Sequence, residues 1–224
     1  MTLPIIMLVK DRLELTKQTI NTLFATTKLP FNLIILSDNS NSETTQYLKT
    51  LDKKAKIIFM PYSTGPGSIK NAGLSIAGDN EFYYITDNDI YFLPNWLETL
   101  YKIMEIFPEV GIAGGRTHAY HGELETISKG GISIKTCNQQ SGYSMLIRRK
   151  VWLDCGPFLH YEMPSGLGKE DTKFCQIATE YGWKIAHPVQ PVILHCGARN
   201  TFGQNMVGLD TEDQQPFPPG AIRS

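Results

Sequence analysis

The first half of the chain alternates strand-length apolar runs with amphipathic segments, and this order constrains the fold more than any other feature. The apolar runs cover residues 5–9, 33–36, 57–60 and 82–85. An amphipathic segment typical of a helix follows each run, over residues 13–25, over residues 42–51, from 68 onward and from 94 onward. Continuous apolar runs are typical of strands covered on both faces. The sequence therefore predicts an α/β sandwich with a mainly parallel sheet.

Length, charge and cysteine content narrow the class of protein. At 224 residues the chain has the length of one globular domain and can bury a sizeable core. Its formal net charge of -1 argues against nucleic acid as a general partner. No apolar run is long enough for a membrane span, and the apolar start lacks the basic residues of a signal peptide. The four cysteines are widely spaced, as expected for reduced thiols. We expect a cytoplasmic protein, in solution or peripheral at a membrane.

The second half of the chain is less regular. Its predicted elements are, in order, a β-hairpin, a strand with a short helix after it, a Gly- and Pro-rich loop, a helix and an extended segment, over residues 123–137, 141–152, 156–168, 170–181 and 185–196. The proline-containing C terminus predicts a loosely held tail. In the first half, Asn95 and Glu98 predict a capping box at the start of the fourth helix.

Polar residues follow each predicted strand of the first half. They are Lys10-Asp11-Arg12 after the first, Asp38-Asn39-Ser40 after the second and residues 63–71 after the third. Taken singly, each segment could be an ordinary loop or turn. In open α/β sheets, however, ligands bind outside the carboxyl ends of the strands. The shared position of these segments therefore favours a binding site.

The fourth apolar run ends in two carboxylates one residue apart, Asp87 and Asp89. If the strand continued through both, their side chains would lie on one face and repel each other unless a cation sat between them. Mg²⁺ and Mn²⁺ bind such oxygen ligands and share them with substrate phosphates. The alternative is a plain turn, since Asp-Asn-Asp also suits a turn.

Several segments occur together in the order and spacing of a known family. They are Asp38-Asn39-Ser40, Lys70-Asn71-Ala72-Gly73-Leu74, Asp87-Asn88-Asp89 with Pro94 and Trp96-Leu97 after it, Gly156-Pro157-Phe158, and Glu170-Asp171 ahead of His195. They resemble the family 2-like glycosyltransferases of the GT-A fold, over about residues 5–195. The resemblance implies a GT-A (Rossmann-like) α/β/α sandwich with a mainly parallel central sheet and a small β element on the acceptor side.

The same resemblance implies a division of the chain. We expect a single domain over residues 1–224. Its nucleotide-sugar-binding half would reach to about residue 115, and its acceptor and catalytic half would cover about residues 116–200. A C-terminal tail would cover about residues 201–224.

The resemblance also implies roles for individual residues. The nucleotide sugar would be bound by Val9, Asp38, Ser40, Lys70, Asn71 and Asp87. A Mn²⁺ or Mg²⁺ ion would be held by Asp87, Asp89 and His195, and an imidazole ligand tilts that choice toward Mn²⁺. Asp171 would be the general base. Glu170 would either contact the acceptor or contact the residues that do. From the residues alone, Glu170 and Asp171 could equally be acids in the first turn of a helix, and His195 a structural residue.

The implied activity is that of a hexosyltransferase. One sugar would pass from a nucleoside-diphosphate sugar, with a UDP-sugar as the first choice, to a hydroxyl group of a carbohydrate or other acceptor. The transfer would be metal-dependent and would invert the anomeric centre. It would serve the synthesis of glycans, cell-surface polysaccharides or glycoproteins.

Two departures from the family pattern and three alternatives remain. Val9-Lys10-Asp11-Arg12 replaces the usual Pro-x-Tyr-Asn motif, so contacts to the base from that loop are open. The Gln-x-x-Arg-Trp motif of polymerising members is absent, which favours transfer of a single sugar. A retaining GT-A enzyme is the nearest alternative. A nucleotidyltransferase would need glycines after the first strand, and a non-catalytic sugar-binding domain would not need both acidic pairs.

Overall fold

The computed structural model describes residues 2–115, 122–159, 169–197 and 218–222. The strands in these ranges are β1 (Leu3–Val9), β2 (Phe31–Ser37), β3 (Lys56–Phe59), β4 (Phe82–Asp87), β5 (Ile90–Phe92), β6 (Val110–Ala113), β7 (Glu123–Lys129), β8 (Ile132–Cys137), β9 (Ser144–Arg148), β10 (Lys184–Pro188) and β11 (Ile193–His195). The helices are α1 (Leu13–Thr26), α2 (Ser42–Lys49), α3 (Pro66–Ala77), α4 (Trp96–Ile106), α5 (Arg149–Cys155) and α6 (Glu170–Glu180). Most of the predicted Gly- and Pro-rich loop and of the predicted tail lies outside the described residues.

The predicted alternation of strands and helices is confirmed. Among the described strands, nine form one sheet in the order β3-β2-β1-β4-β9-β6-β10-β8-β7. Strands β1 to β4 are parallel to one another, and β6, β10 and β7 share their direction, while β9 and β8 run the opposite way. The central sheet is therefore mainly parallel, as the continuous apolar runs predict.

Helices cover both faces of the sheet, because successive residues of the central strands point to opposite sides. In β1, for example, Ile5 and Met7 belong to one apolar cluster and Ile6 to the other. The first cluster includes residues of α1, α2 and α4, and the second includes residues of α3, α5 and α6. These two cores make the three-layer α/β/α sandwich that the sequence predicts.

The predicted β-hairpin is present as β7 and β8, and it extends the central sheet at its far edge through β10. A separate two-stranded sheet forms from β5 and β11, which pair antiparallel. This small sheet places His195, at the end of β11, opposite Ile90 and beside the turn that follows β4. Its position matters for the site described below.

The predicted capping box at α4 is wrong. Asn95 does occupy the N-cap position, but its φ of 62° is left-handed and its side chain caps no helix N–H. Its amide oxygen instead accepts a hydrogen bond from Lys28 Nζ at 2.8 Å. A capping side chain needs an extended backbone at this position to reach back to the helix, and Asn95 lacks it.

In the described part of the chain, no helix is long and apolar enough to cross a membrane.

Candidate active site

The carboxyl ends of β2, β1 and β4 lie side by side, and hydrogen bonds join the loops that follow them. The carbonyl oxygen of Val9, at the end of β1, accepts from Asp38 N at 2.8 Å and from Ser40 Oγ at 3.2 Å. Ser40 Oγ also accepts from Asp11 N at 3.3 Å. Val9 and Ser40 therefore fix the relative positions of the two loops.

Asp38 links the end of β2 to the loop that leads into α3. Its Oδ2 accepts from Ser63 Oγ at 2.6 Å, and its Oδ1 accepts from Thr64 N at 3.1 Å. Lys10 Nζ lies 3.6 Å from Oδ2 and donates to Ser63 Oγ at 2.9 Å. The carboxylate of Asp38 is nearly buried and is positioned at the sheet edge, as the sequence predicts.

The turn between β1 and α1 has an unusual backbone. Asp11 and Arg12 are both left-handed, with φ values of 54° and 56°. Such a conformation costs a residue with a side chain roughly 1–2 kcal/mol. Asn88 stabilises the turn, since its Nδ2 donates to the Asp11 carbonyl at 3.0 Å and to Thr16 Oγ1 at 2.7 Å. The middle residue of Asp87-Asn88-Asp89 thus fastens the β4–β5 turn to the start of α1.

Asp87 and Asp89 do not lie on one continuous strand. Strand β4 ends at Asp87, and Asp89 belongs to the turn before β5. The alternation of side chains along a strand therefore does not bring the two carboxylates together. The turn instead brings Asp89 near enough to Asp87 to help raise the pKa of the Asp87 carboxyl.

Asp89 is buried between a guanidinium and an imidazole. Arg12 Nη1 donates to its Oδ2 at 2.6 Å, and His195 Nε2 lies 3.4 Å from its Oδ1. Burial opposes the negative charge, but His195 and then Arg12 outweigh burial and hold the pKa of Asp89 below its ordinary value. The imidazole of His195 also stacks on Tyr143, with ring centroids 4.6 Å apart.

A second charged cluster lies at the start of α3 and α6. Lys70 is buried and donates to Glu170 Oε1 at 2.5 Å. Burial works against the charges of both groups; even so, the pKa of Lys70 is raised, chiefly by Glu170, and the pKa of Glu170 is lowered by Lys70. Both groups are thus charged at neutral pH, as a buried ion pair requires.

Asp171 stands next to this pair and is oriented by backbone groups. Gly142 N donates to its Oδ2 at 2.9 Å, and Thr172 N donates to its Oδ1 at 2.6 Å. Burial raises the pKa of Asp171 above the ordinary carboxyl value; Lys70 opposes this shift and Glu170 adds to it. The result is a fixed carboxylate of increased basicity, which suits a proton acceptor.

Asp87 lies between the two clusters. Burial raises the pKa of its carboxyl to about 6; Lys70 opposes the shift, and Asp89 adds to it. His195 and Glu170 also act on it, so both clusters contribute to its charge state. The predicted residues Lys70, Asp87 and Asp89 are thus brought into one electrostatic unit with Glu170, Asp171 and His195.

Asn71 has a different environment from the one that the sequence suggests. Its Nδ2 donates to the Phe158 carbonyl at 2.8 Å, and its Oδ1 accepts from Phe158 N at 2.8 Å. Phe158 itself is buried and stacks on Phe174. Asn71 therefore holds the segment after α5 against α3. Both polar groups of its amide take part in these hydrogen bonds, and the predicted contact with the nucleotide sugar would be made by the same amide.

Sequence reasoning missed Gly142, Tyr143 and Gly197 as contributors to the site, and it placed Arg12 at a strand end without foreseeing its contact with Asp89. A glycine just before a strand is a sign of close backbone approach, and Gly142 fits that pattern. A side chain at Gly142 would collide with Lys70 Nζ and lie 3.0 Å from Lys70 Cε. The roles of Arg12, Tyr143 and Gly197 depend on contacts with distant residues, which no local pattern reveals.

The comparison with protein families decides the identity. The model of glycosyl transferase family 2 matches residues 5–158. The chain belongs to that family. The match covers β1 through the segment after α5, and so includes the residues from Val9 to Asp89 described above. A comparison with curated protein sequences gave no match.

Solved structures of similar fold agree with this assignment. The mannosyltransferase PcManGT from Pyrobaculum calidifontis, in complex with GDP-Man and Mn²⁺, is 12% identical with a TM-score of 0.63, over 84% of this chain and 57% of that one. GalNAc-T7 with UDP, GalNAc and Mn²⁺ is 12% identical with a TM-score of 0.66, over 84% and 42%. S. aureus TarS 1-349 with UDP-GlcNAc is 16% identical with a TM-score of 0.65, over 86% and 58%. The chain spans less than two thirds of the length of each of these proteins, and the likeness shows the GT-A fold.

The residues of this family 2 chain can be tested for their fit to a divalent cation. In the described ranges, no three His, Cys, Asp or Glu side chains are placed to hold a metal ion by themselves. A nucleotide-bound Mg²⁺ or Mn²⁺ does not need three protein ligands, because phosphates supply further oxygen ligands. Asp89 Oδ1 is buried and accepts no hydrogen bond from a described residue, and an imidazole nitrogen faces it. A carboxylate oxygen and a histidine nitrogen are both donors that such a cation binds.

Proposed function

We propose that this glycosyltransferase moves one hexosyl unit from a nucleoside-diphosphate sugar to a hydroxyl acceptor, with inversion and with Mn²⁺ or Mg²⁺ as cofactor. A UDP-sugar is the preferred donor in this proposal, and a carbohydrate is the first choice of acceptor. The product would belong to a glycan, a cell-surface polysaccharide or a glycoprotein. A cytoplasmic location, in solution or peripheral at a membrane, is part of the proposal.

One observation carries the proposal. The pair Lys70–Glu170 and the group Asp89–His195 both shift the pKa of Asp87 at the carboxyl end of β4, and Asp171 directly follows Glu170. The groups that we assign to the diphosphate, the cation and the acceptor proton would thus meet where α/β sheets bind their ligands. Transfer from a nucleoside-diphosphate sugar needs all three kinds of group in one place.

In this proposal the donor is bound mainly by the first half of the chain, to about residue 115. The nucleoside would be bound by Asp38, Ser40 and the backbone of Val9, since these lie together at the carboxyl ends of β1 and β2. Lys70 would bind the diphosphate together with Asn71, which also holds the segment after α5 against α3. The ammonium of Lys70 already holds one carboxylate, Glu170, and remains positively charged.

Asp171, in the acceptor half over about residues 116–200, would remove the acceptor proton. The acceptor oxygen forms the new bond to the anomeric carbon as the bond from that carbon to the diphosphate breaks, and the diphosphate leaves with the electron pair. The backbone donors Gly142 and Thr172 orient the carboxylate for this task. Asp171 then carries the proton, which its raised pKa favours.

Asp87, Asp89 and His195 would hold the divalent cation. When bound, it would act as a Lewis acid toward the departing diphosphate. A cation would stabilise the ionised form of Asp87, because burial and the negative charge of Asp89 both oppose its ionisation.

A thermal-shift panel of nucleoside diphosphates, with and without Mn²⁺, tests the proposed function. A ligand that binds only the folded state raises the melting temperature by mass action. We expect UDP to raise it more than the other nucleoside diphosphates do, and only when Mn²⁺ is present. No rise with any nucleoside diphosphate would contradict the proposal. The anomeric configuration of the product then separates inversion from the retaining alternative.

A further inference from the structure

We propose that Arg12 is a positioning residue for the divalent cation: it holds Oδ2 of Asp89 so that Oδ1 faces His195 and is left for the metal. The inference rests on the proposed function, since it concerns the metal site of that function. It adds a residue that belongs to none of the motifs recognised in the sequence.

The two oxygens of Asp89 have different environments. Oδ2 accepts from Arg12 Nη1 at 2.6 Å, whereas Oδ1 is buried and accepts no hydrogen bond from a described residue. Oδ1 lies 3.4 Å from His195 Nε2, within ion-pair distance. The backbone keeps this arrangement in place, because Cys196 N donates to the Asp89 carbonyl at 2.7 Å. One oxygen is thus restrained, and the other points at the second metal ligand.

Arg12 is itself held in place by the motif that it serves. Its left-handed backbone and that of Asp11 direct the β1–α1 turn toward the β4–β5 turn. Asn88, the residue before Asp89, donates to the Asp11 carbonyl and to Thr16 Oγ1. The guanidinium and the carboxylate are therefore fixed through both side chains and both turns.

Gly197 closes the other side of the ion pair. A side chain at this position would collide with Asp89 Oδ2 and would lie 2.7 Å from Arg12 Nη1. Only a bare backbone fits against the pair. The backbone of Gly197 thus packs directly against Asp89 Oδ2 and the guanidinium of Arg12.

The physical reason for such a residue is that a metal ligand binds well only when its orientation is already set. Carboxylates that ligate a metal are usually hydrogen-bonded through the second oxygen, and loss of that partner weakens metal binding by about 10–100-fold. An arginine suits the role because its guanidinium is planar and always charged.

The test is a Mn²⁺ titration followed by electron paramagnetic resonance, which reports free Mn²⁺ without any need for turnover. The proteins are the wild type, Arg12→Gln and Arg149→Gln, each titrated without and with UDP, because the phosphates would supply further ligands. We expect Arg12→Gln to weaken the affinity for Mn²⁺ by about 10–100-fold. Arg149→Gln is the matched control: it removes an ion pair with Asp79 at the opposite end of β4 and should bind Mn²⁺ as the wild type does.

Three results would overturn the inference. They are unchanged Mn²⁺ affinity in Arg12→Gln, tighter affinity (which would make Arg12 a competitor of the metal), and an equal loss in Arg149→Gln. In each of these cases the wild type still binds Mn²⁺, so the proposed function stands. A wild type that binds Mn²⁺ neither alone nor with UDP overturns the metal site and this inference together. If Arg12→Gln does not fold, as judged by melting in EDTA, Arg12→Lys replaces it, with a smaller loss expected because the charge remains.

Discussion

At the scale of the single residue, Asp171 gives the clearest separation of binding from chemistry. Asp171→Asn should lower turnover by roughly 10²–10⁴-fold, because the amide cannot take the acceptor proton. Donor affinity should change little, since Lys70, which we assign to the diphosphate, keeps its partner Glu170. Steady-state rates with a sugar acceptor, together with calorimetric donor affinity, measure the two effects. Near-normal turnover would favour the retaining alternative.

Glu170→Gln is the matched control for this variant. It removes a carboxylate from the neighbouring position but leaves Asp171 with its two backbone donors. Because Lys70 then loses its buried partner, donor binding should suffer more than the rate at saturation. The opposite pattern, with a larger loss of rate in Glu170→Gln, would assign the base to Glu170.

Asp38 offers a second test at this scale. Asp38→Ala should weaken UDP binding and reduce discrimination between nucleoside diphosphates, because polar groups that pair with the carboxylate lose their partner. The control is Ser63→Ala, which removes one donor to Asp38 and keeps the carboxylate. Calorimetry with the four common nucleoside diphosphates measures both variants. If Asp38→Ala binds all of them as the wild type does, Asp38 is a structural turn residue.

At the scale of the element, the turn before β9 connects the two halves of the site. Gly142→Ala should place its Cβ against Lys70 Nζ, and 3.5 Å from Asp171 Cβ. Overpacking of this kind costs about 1–3 kcal/mol. We expect a free energy of unfolding lowered by about that amount, measured by urea denaturation, and also a weaker affinity for UDP, since Lys70 must move away from Glu170.

The control for Gly142→Ala is Gly131→Ala in the β7–β8 turn. Gly131 has a φ of 76° and open space around it, so an alanine there adds backbone strain without a new contact. Its stability should fall while UDP affinity is kept. Equal losses of UDP affinity in both variants would mean that stability alone, and not contact with Lys70, explains the effect.

The same scale shows what the sequence could predict. The strands and helices of the first half were predictable because burial on both faces and helical periodicity are local patterns. The capping box at Asn95 was not, because a left-handed backbone turns its side chain away from the helix. Asp87 and Asp89 were correctly placed at the sheet edge, but the strand ends between them, so the turn and not strand alternation brings them together.

At the scale of the whole molecule, the site depends on pairs that are far apart in the sequence. Arg12 reaches Asp89, Lys70 reaches Glu170, and Gly142 reaches Asp171. The resemblance to family 2 supplied most of the candidate residues through their motifs. The partners that orient those residues could not be predicted, since they follow from how the strands are ordered in the sheet and how closely the backbone approaches.

The metal-dependent binding of a nucleotide at Asp89 can be tested by a calorimetric titration of UDP into the wild type and Asp89→Ala, with and without Mn²⁺. We predict that the wild type binds UDP tightly only with Mn²⁺ and that Mn²⁺ no longer strengthens UDP binding in Asp89→Ala. The melting temperature of Asp89→Ala in EDTA checks that the fold survives loss of the partner of Arg12. If Mn²⁺-dependent binding of UDP is unchanged in Asp89→Ala, Asp89 is not a ligand of the cation.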